Sequence, residues 1–262
     1  MKKICHIAPI LLLLMGLSVL FSCKKSVVDQ PGPYSLSYGD SIIYMKPSGG
    51  DYIVTPIETS PGTYTGFPEG IQIDETTGAI NVSKSETGLR YLITHTDPAG
   101  KESTTTVVLS GITFRDKYYN LSLNDSIAFP VYNAKESNAL PLTGSVFDDG
   151  GGAQLSGCDV QTVNGQINLA QSIRDGLFGS NPVDDSKKEI DIVYRLNDGS
   201  DKALNKLRVK LYYYSSISNV APDLLETLQD RLDQGVFLRG ASVLGFTRIA
   251  KPRPPCIIII AR

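Results

Sequence analysis

The sequence predicts a mostly β chain, two tandem antiparallel β-sandwiches followed by a short helix and a terminal strand, and three observations predict it. Apolar and polar residues alternate over short segments bounded by turn clusters, the pattern of strands with one buried and one wet face. The frame Tyr-x-Leu-Ser-x-x-Asp-Ser-Ile occurs at Tyr34–Ile42 and again at Tyr119–Ile127, and self-similarity at long spacing marks a repeated structural unit. After Ser216 the texture turns amphipathic and then becomes a bare run of isoleucine.

The N-terminus speaks to place rather than fold. Residues 1–22 join a basic start, Lys2-Lys3, to an apolar run from Ile7 to Phe21, the layout of a secretory signal and too short for a comfortable membrane span. A plain secretory signal or an uncleaved anchor shares that layout. The closing Leu20-Phe21-Ser22-Cys23 resembles the lipobox of bacterial lipoproteins. That resemblance implies a diacylglyceryl thioether on Cys23, an acylated amine, and firm attachment to a membrane through several acyl chains. Residues 23–33 then form the lipidated linker.

Loss of residues 1–22 removes two of the 25 basic side chains and none of the 27 acidic ones, leaving a net charge near −4. Such a balance makes no electrostatic case for nucleic acid. With Cys5 in the signal and Cys23 lipidated, Cys158 and Cys256 remain. In a compartment that permits disulfides they either pair or stay two buried thiols.

The first sandwich is expected over 34–112. Ile71 and Ile73, then Ile80 and Val82, alternate around Asp74-Glu75-Thr76-Thr77-Gly78, and Tyr91, Ile93, Thr105, Val107 and Leu109 flank Asp97-Pro98-Ala99-Gly100. The second is expected over 113–216, where Ile190, Ile192 and Tyr194 face Leu207, Val209 and Leu211 across Asn197-Asp198-Gly199-Ser200. The copies share more than the opening frame: Gly78–Ser85 returns as Gly165–Ser172, and Asp97-x-x-x-Lys101 as Asp198-x-x-x-Lys202. The spacing grows from 85 to 87 to 101 residues. The extra stretch of the second copy, with Gly176, Gly179, Asn181, Pro182, Asp184 and Asp185, has loop composition.

Phe67–Ile80 resembles the signature of bacterial Ig-like and cadherin-like modules, Pro-x-Gly-Leu-x-Leu-Asp-x-x-Thr-Gly-x-Ile, matched by Pro68, Gly70, Ile71, Ile73, Asp74, Thr77, Gly78 and Ile80. Tyr91–Leu109 fits the family's aromatic strand, turn and Thr/Val-rich last strand. The chain departs after Ile80, where the family carries Gly-Thr-Pro and this sequence Asn81-Val82-Ser83. The second copy keeps only the Gly-x-Ile core and the final hairpin. The resemblance implies an Ig-like sandwich for each copy. Cadherin-like relatives hold calcium at domain junctions through several oxygen ligands, and Asn197, Asp198 and Asp201 form the compact oxygen cluster here. The linker Gly111–Asp116 lacks the family's acidic motif, so these are read as turn residues and no metal is expected.

Residues 217–262 form a helical extension ending in a strand. Pro222 opens the helix, Asp223 and Glu226 occupy its first turn, Leu224, Leu225, Leu228 and Leu232 follow one face, and Gly235 ends it. That face packs on the second sandwich or takes a partner. Ile257–Ile260 is strongly β-forming; as an internal strand it closes a sheet edge, and left free it is a donor strand for a neighbour.

Enzyme templates fail on inventory. His95 is the single histidine beyond the signal and lies in an alternating strand, so acyl-transfer chemistry has no base to pair with a nucleophile. Asp148–Ala153 lacks the lysine of a phosphate-binding loop. Asp148-Asp149 and Asp184-Asp185 are adjacent pairs rather than opposed carboxylates. Asp40-Ser41-Ile42 and Asp125-Ser126-Ile127 resemble the O-glycosylation acceptor of Bacteroidota, and a repeated structural turn accounts for them equally well. The absence of tryptophan removes the strongest hint of a sugar platform, though thirteen tyrosines remain.

The expectation is a lipid-anchored lipoprotein of the cell envelope, placed at the outer membrane with its facing side open. It acts as a non-catalytic binding, adhesion or structural module without cofactor. The rivals are an accessory glycan-binding lipoprotein of a polysaccharide-uptake system and a pilus-type subunit that assembles by strand donation. Its partner is a protein or a glycan.

Overall fold

The computed structural model describes residues 34–233 and 256–262. Met1–Tyr34 separates from Ser35–Arg262, and the architecture is that of the latter unit. Residues 1–22 expected as a signal, Cys23, the expected linker over 23–33, Gly235 and the side chain of Leu232 lie outside what is described.

The chain is mostly β. Its first half runs β1 (Ile42–Ile43), β2 (Ile53–Val54), β3 (Thr63–Phe67), β4 (Ile80–Asn81), β5 (Leu89–Thr96) and β6 (Glu102–Leu109). The second half runs β7 (Ile112–Phe114), β8 (Lys117–Asn120), β9 (Ile127–Ala128), β10 (Pro130–Tyr132) and β11 (Val146–Phe147). Then come α1 (Gly152–Leu155), β12 (Ile167–Asn168), α2 (Leu169–Arg174), β13 (Ser186–Arg195), β14 (Leu204–Tyr214), α3 (Pro222–Asp233) and β15 (Cys256–Ala261). The boundary expected at 112/113 falls at the start of β7, which pairs with β10.

The two halves carry sheets of one order. The first is β1-β6-β5-β3 and the second β8-β15-β14-β13-β11. Strand for strand they correspond, with β15 as the single insertion. In the first sheet β1 lies parallel on β6, Ile42 opposite Val108. In the second, β15 lies parallel to β14 on one side and to β8 on the other.

The repeated Gly-x-Ile-Asn has a physical reason. Ile80 and Ile167 bridge back to Ile73 and Val160, and each following asparagine caps a helical turn. Asn81 Oδ1 accepts from the Lys84 amide at 3.1 Å and Asn168 Oδ1 from that of Gln171 at 3.0 Å, which satisfies one orphan donor of each turn. Ser85 and Ser172 complete the motif. Each donates to the asparagine carbonyl, at 2.7 and 2.8 Å, and accepts an amide from the segment before the turn, that of Gln72 or Asp159, at 2.9 Å.

The opening frame behaves differently. Ile42–Ile43 edges the first sheet, whereas Ile127–Ala128 pairs with β12, the place that Ile53–Val54 takes against β4. A frame opening both units alike would put Tyr34 and Leu36, and Tyr119 and Leu121, on the first strand of each; Tyr119 lies in β8, whereas Tyr34, Leu36 and Leu121 lie outside the strands. The two Asp-Ser-Ile segments do different jobs, because the pairing partner and not the tripeptide decides the strand's place.

Along β15 and the end of β14 both faces of the second sheet are buried. Ile190, Ile192, Tyr194, Leu207, Val209, Leu211, Cys256, Ile258 and Ile260 face one core. Tyr212, Tyr214, Ile257 and Ile259 face another, closed by Val220, Leu224 and Leu228 from the α3 side. A strand covered on both faces and paired on both edges reads as a continuous apolar run, which is why four isoleucines stand in a row. Leu225, expected on the packed face, is exposed; Leu224 and Leu228, one turn apart, carry the contact. The internal reading of Ile257–Ile260 holds, as a central strand rather than an edge.

Candidate functional site

The halves meet where the tip of the β13–β14 hairpin reaches the first sheet. Asp198 is the latch: Oδ2 accepts from the Tyr132 hydroxyl at 2.7 Å and the Ser110 hydroxyl at 3.0 Å, and Oδ1 accepts from the Ser200 amide at 2.8 Å. Burial and the hydrogen bond to Asp198 hold the Tyr132 phenol well above its ordinary range. Lys46, in the loop after β1, donates to the Gly199 carbonyl and to Asp201 Oδ2 at 2.8 Å, and the bond to Asp201 raises its ammonium pKa. Gly199 lies under the Tyr44 ring, where a Cβ would stand 2.8 Å from ring carbon. Behind them the buried Tyr194 hydroxyl shares a 2.8 Å hydrogen bond with Thr87 and accepts from the Ile112 amide at 3.2 Å. Burial pushes its pKa up to about 12.

Asn197, Asp198 and Asp201 are thus brought together, but as a junction and not as an ion cage. The Asn197 amide group donates to the Thr143 carbonyl at 3.0 Å, and both Asp198 oxygens are engaged. Among the described residues no cluster of three or more His, Cys, Asp or Glu side chains is arranged to hold a metal.

Beside this latch opens a cleft of about 960 Å3, lined from the first half by Met45–Ser48, Gln72 and Ser83–Glu86 and from the second by Arg195 and the start of β14. Lys46, Lys84, Arg195, Lys202, Lys206 and Arg208 line it against the single acid Glu86, with no aromatic side chain. Acids outside the lining pair with five of these cations. Lys46 has Asp201; Lys84 pairs with Asp51 at 2.7 Å, Arg195 with Asp149 at 2.7 Å, and Lys206 with Asp191 at 3.3 Å. Arg208 grips both oxygens of Asp191 at 2.7 and 3.0 Å. That fork holds the Asp191 carboxyl below its ordinary range, with Lys206 adding to it. These pairs are exposed and individually weak, so they bias the cations' positions while leaving donors open to an arriving anion.

The remaining residues singled out by sequence lie elsewhere. His95 is buried in β5 with its ring 4.6 Å from that of Tyr64 and Nε2 3.2 Å from the Pro61 carbonyl, a packed strand residue. Asp148 caps α1, accepting from the Ala153 and Gln154 amides at 2.8 and 3.0 Å, so the Gly-rich segment is a capped turn. The disulfide between Cys158 and Cys256 is not made. Both remain buried thiols; Cys256 donates to the Phe114 carbonyl at 2.9 Å from its place in β15, and burial raises Cys158 to about 12.

Sequence reasoning passed over the cleft because its cations are spread from Lys46 to Arg208. One signal was legible: Lys206, Arg208 and Lys210 alternate with Leu207, Val209 and Leu211, so the wet face of β14 is uniformly basic. Comparison with known proteins gives no matching family model and no matching curated protein. Among the described residues no helix is long and apolar enough to cross a membrane.

Proposed function

We propose that this protein is a lipid-anchored, non-catalytic binding module of the cell envelope, two Ig-like sandwiches in tandem, holding an anionic glycan across the cleft between them. The observation that carries the reading is the cationic lining contributed by both halves and paired with acids behind it. Uronate, sulfate or phosphate groups along a sugar chain match spaced cations of this kind through charge-assisted hydrogen bonds from the ammonium and guanidinium donors that the acids behind them leave unused. A neutral glycan held by stacking wants an aromatic face, which this lining lacks.

The test is binding of the full-length protein, in detergent or nanodiscs, to immobilised acidic and neutral polysaccharides. Saturable binding to an acidic polymer, weakened about tenfold by Lys84→Ala with Lys202→Ala and weakened further by salt, is the expected result. Equal binding to neutral polymers, or affinity untouched by the two substitutions, overturns the reading.

A further inference from the structure

The second sheet holds its own C-terminal strand in a slot that the fold does not require. In the first sheet the strands equivalent to β8 and β14, namely β1 and β6, pair directly. In the second they stand apart, and Cys256–Ala261 fills the gap with parallel ladders on both edges, Val209–Tyr214 on one side and Lys117–Asn120 on the other. Every residue of the inserted strand is buried.

The slot is specific for one register. Asp116 Oδ1 accepts from the Ile257 amide at 2.7 Å and lies 2.9 Å from Arg231 of α3, while the Cys256 thiol bonds the Phe114 carbonyl at 2.9 Å. α3 packs over Ile257 and Ile259 with Tyr212 and Tyr214 of the neighbouring strand, so it belongs to the slot rather than to the inserted strand.

We propose that this slot is a strand-acceptor site which takes Cys256–Ala261 from a second copy of the chain, giving a reciprocally exchanged dimer. Three features support a second copy as the donor. A strand that fits its own slot fits the identical slot of another copy with the same contacts, so exchange sacrifices no packing, and such swapping is a low-cost route to dimers. Twenty-two residues, 234–255, join α3 to β15; at roughly 3.3 Å each they span up to about 70 Å, ample for a neighbour. The strand's partners on β8 lie up to about 140 residues away along the chain, so it docks late. Until then β8 and β14 present unpaired edges to any strand within reach. The inference stands apart from the cleft and does not depend on what the cleft binds.

Ser215 and Arg262 are both exposed and each lies one residue past the paired Tyr214 and Ala261. Two full-length versions with different tags, one Ser215→Cys and the other Arg262→Cys, are co-expressed and treated with a short thiol-reactive cross-linker. The double variant in one chain tests the register itself. Exchange predicts a covalent species carrying both tags, with the link mapped by mass spectrometry to positions 215 and 262, and a dimer by light scattering. A double variant that links only within its own chain, beside co-expressed singles that never link, overturns the proposal. A double variant that links in neither way overturns the slot.

Discussion

At the scale of single residues, two glycines show how the repeat is enforced. Gly78 and Gly165 have φ of +71° and +69°, and a Cβ on either would meet an aromatic ring, that of Tyr64 at 2.7 Å or Phe147 at 2.8 Å. Strain and collision act together here, so Gly78→Ala is expected to cost about 2–3 kcal/mol in urea denaturation, against about 1 for Gly100→Ala, which has φ of +82° and open space. Asp191 supplies a pH effect with a definite sign. Its folded pKa is depressed chiefly by Arg208, so its contribution is present above the unfolded value of about 4 and is lost as pH falls through the lower folded one. The group is a third exposed, and a screened pair of this kind contributes about 0.5 kcal/mol. Asp191→Asn should therefore lower the urea midpoint slightly at pH 7 and leave it unchanged near pH 2. These residues were partly legible: Gly78 closed a recognisable turn and headed a repeated segment, whereas the Asn81 cap and the Asp191–Arg208 fork, which joins two strands, depend on geometry that no local pattern reveals.

At the scale of elements, β13, β14, β5, β6 and α3 follow from period and caps, because each is long enough for its pattern to repeat. Strands of two residues such as β1, β2 and β9 carry no period, and the likeness of Asp40-Ser41-Ile42 to Asp125-Ser126-Ile127 misleads about β1 and β9, since hydrogen-bond partners far along the chain assign their edges. α2 escaped for a related reason: its cap motif was visible as the repeat, but in the first half the same motif closes a shorter 3-10 turn. β15 shows how burial on both faces translates into energy. Ile258 is fully buried in the sheet core, so Ile258→Ala should cost about 3–4 kcal/mol, while Leu225→Ala on the exposed side of α3 should stay within about 0.5 kcal/mol. Equal effects in chemical denaturation would place β15 outside the sheet.

At the scale of the whole molecule, the junction decides whether the halves act as one body. The cleft exists only while Lys46 and Lys84 stay opposed to Arg195 and Lys206, and that opposition is set by the hairpin tip: Asp198 on Tyr132 and Ser110, Lys46 on Asp201, and Gly199 beneath Tyr44. The ion pair is exposed and worth little, so the close approach of Gly199 and the Asp198 network must carry the coupling. A methyl group at position 199 would stand 2.8 Å from the Tyr44 ring and force the ring or the tip to move. Gly199→Ala is therefore expected to cost about 1–3 kcal/mol and to split one cooperative unfolding transition into two, while the sheets keep their circular dichroism. Lys46→Ala should leave the transition single, because it removes only the screened pair and one exposed hydrogen bond to the Gly199 carbonyl. If the halves share the ligand as proposed, the glycine variant should also weaken binding of an acidic polysaccharide although no lining cation has changed, since a shift of about an ångström between spaced charges is enough to lose their joint grip. A variant that unfolds in two steps yet binds undiminished would confine the ligand to one half.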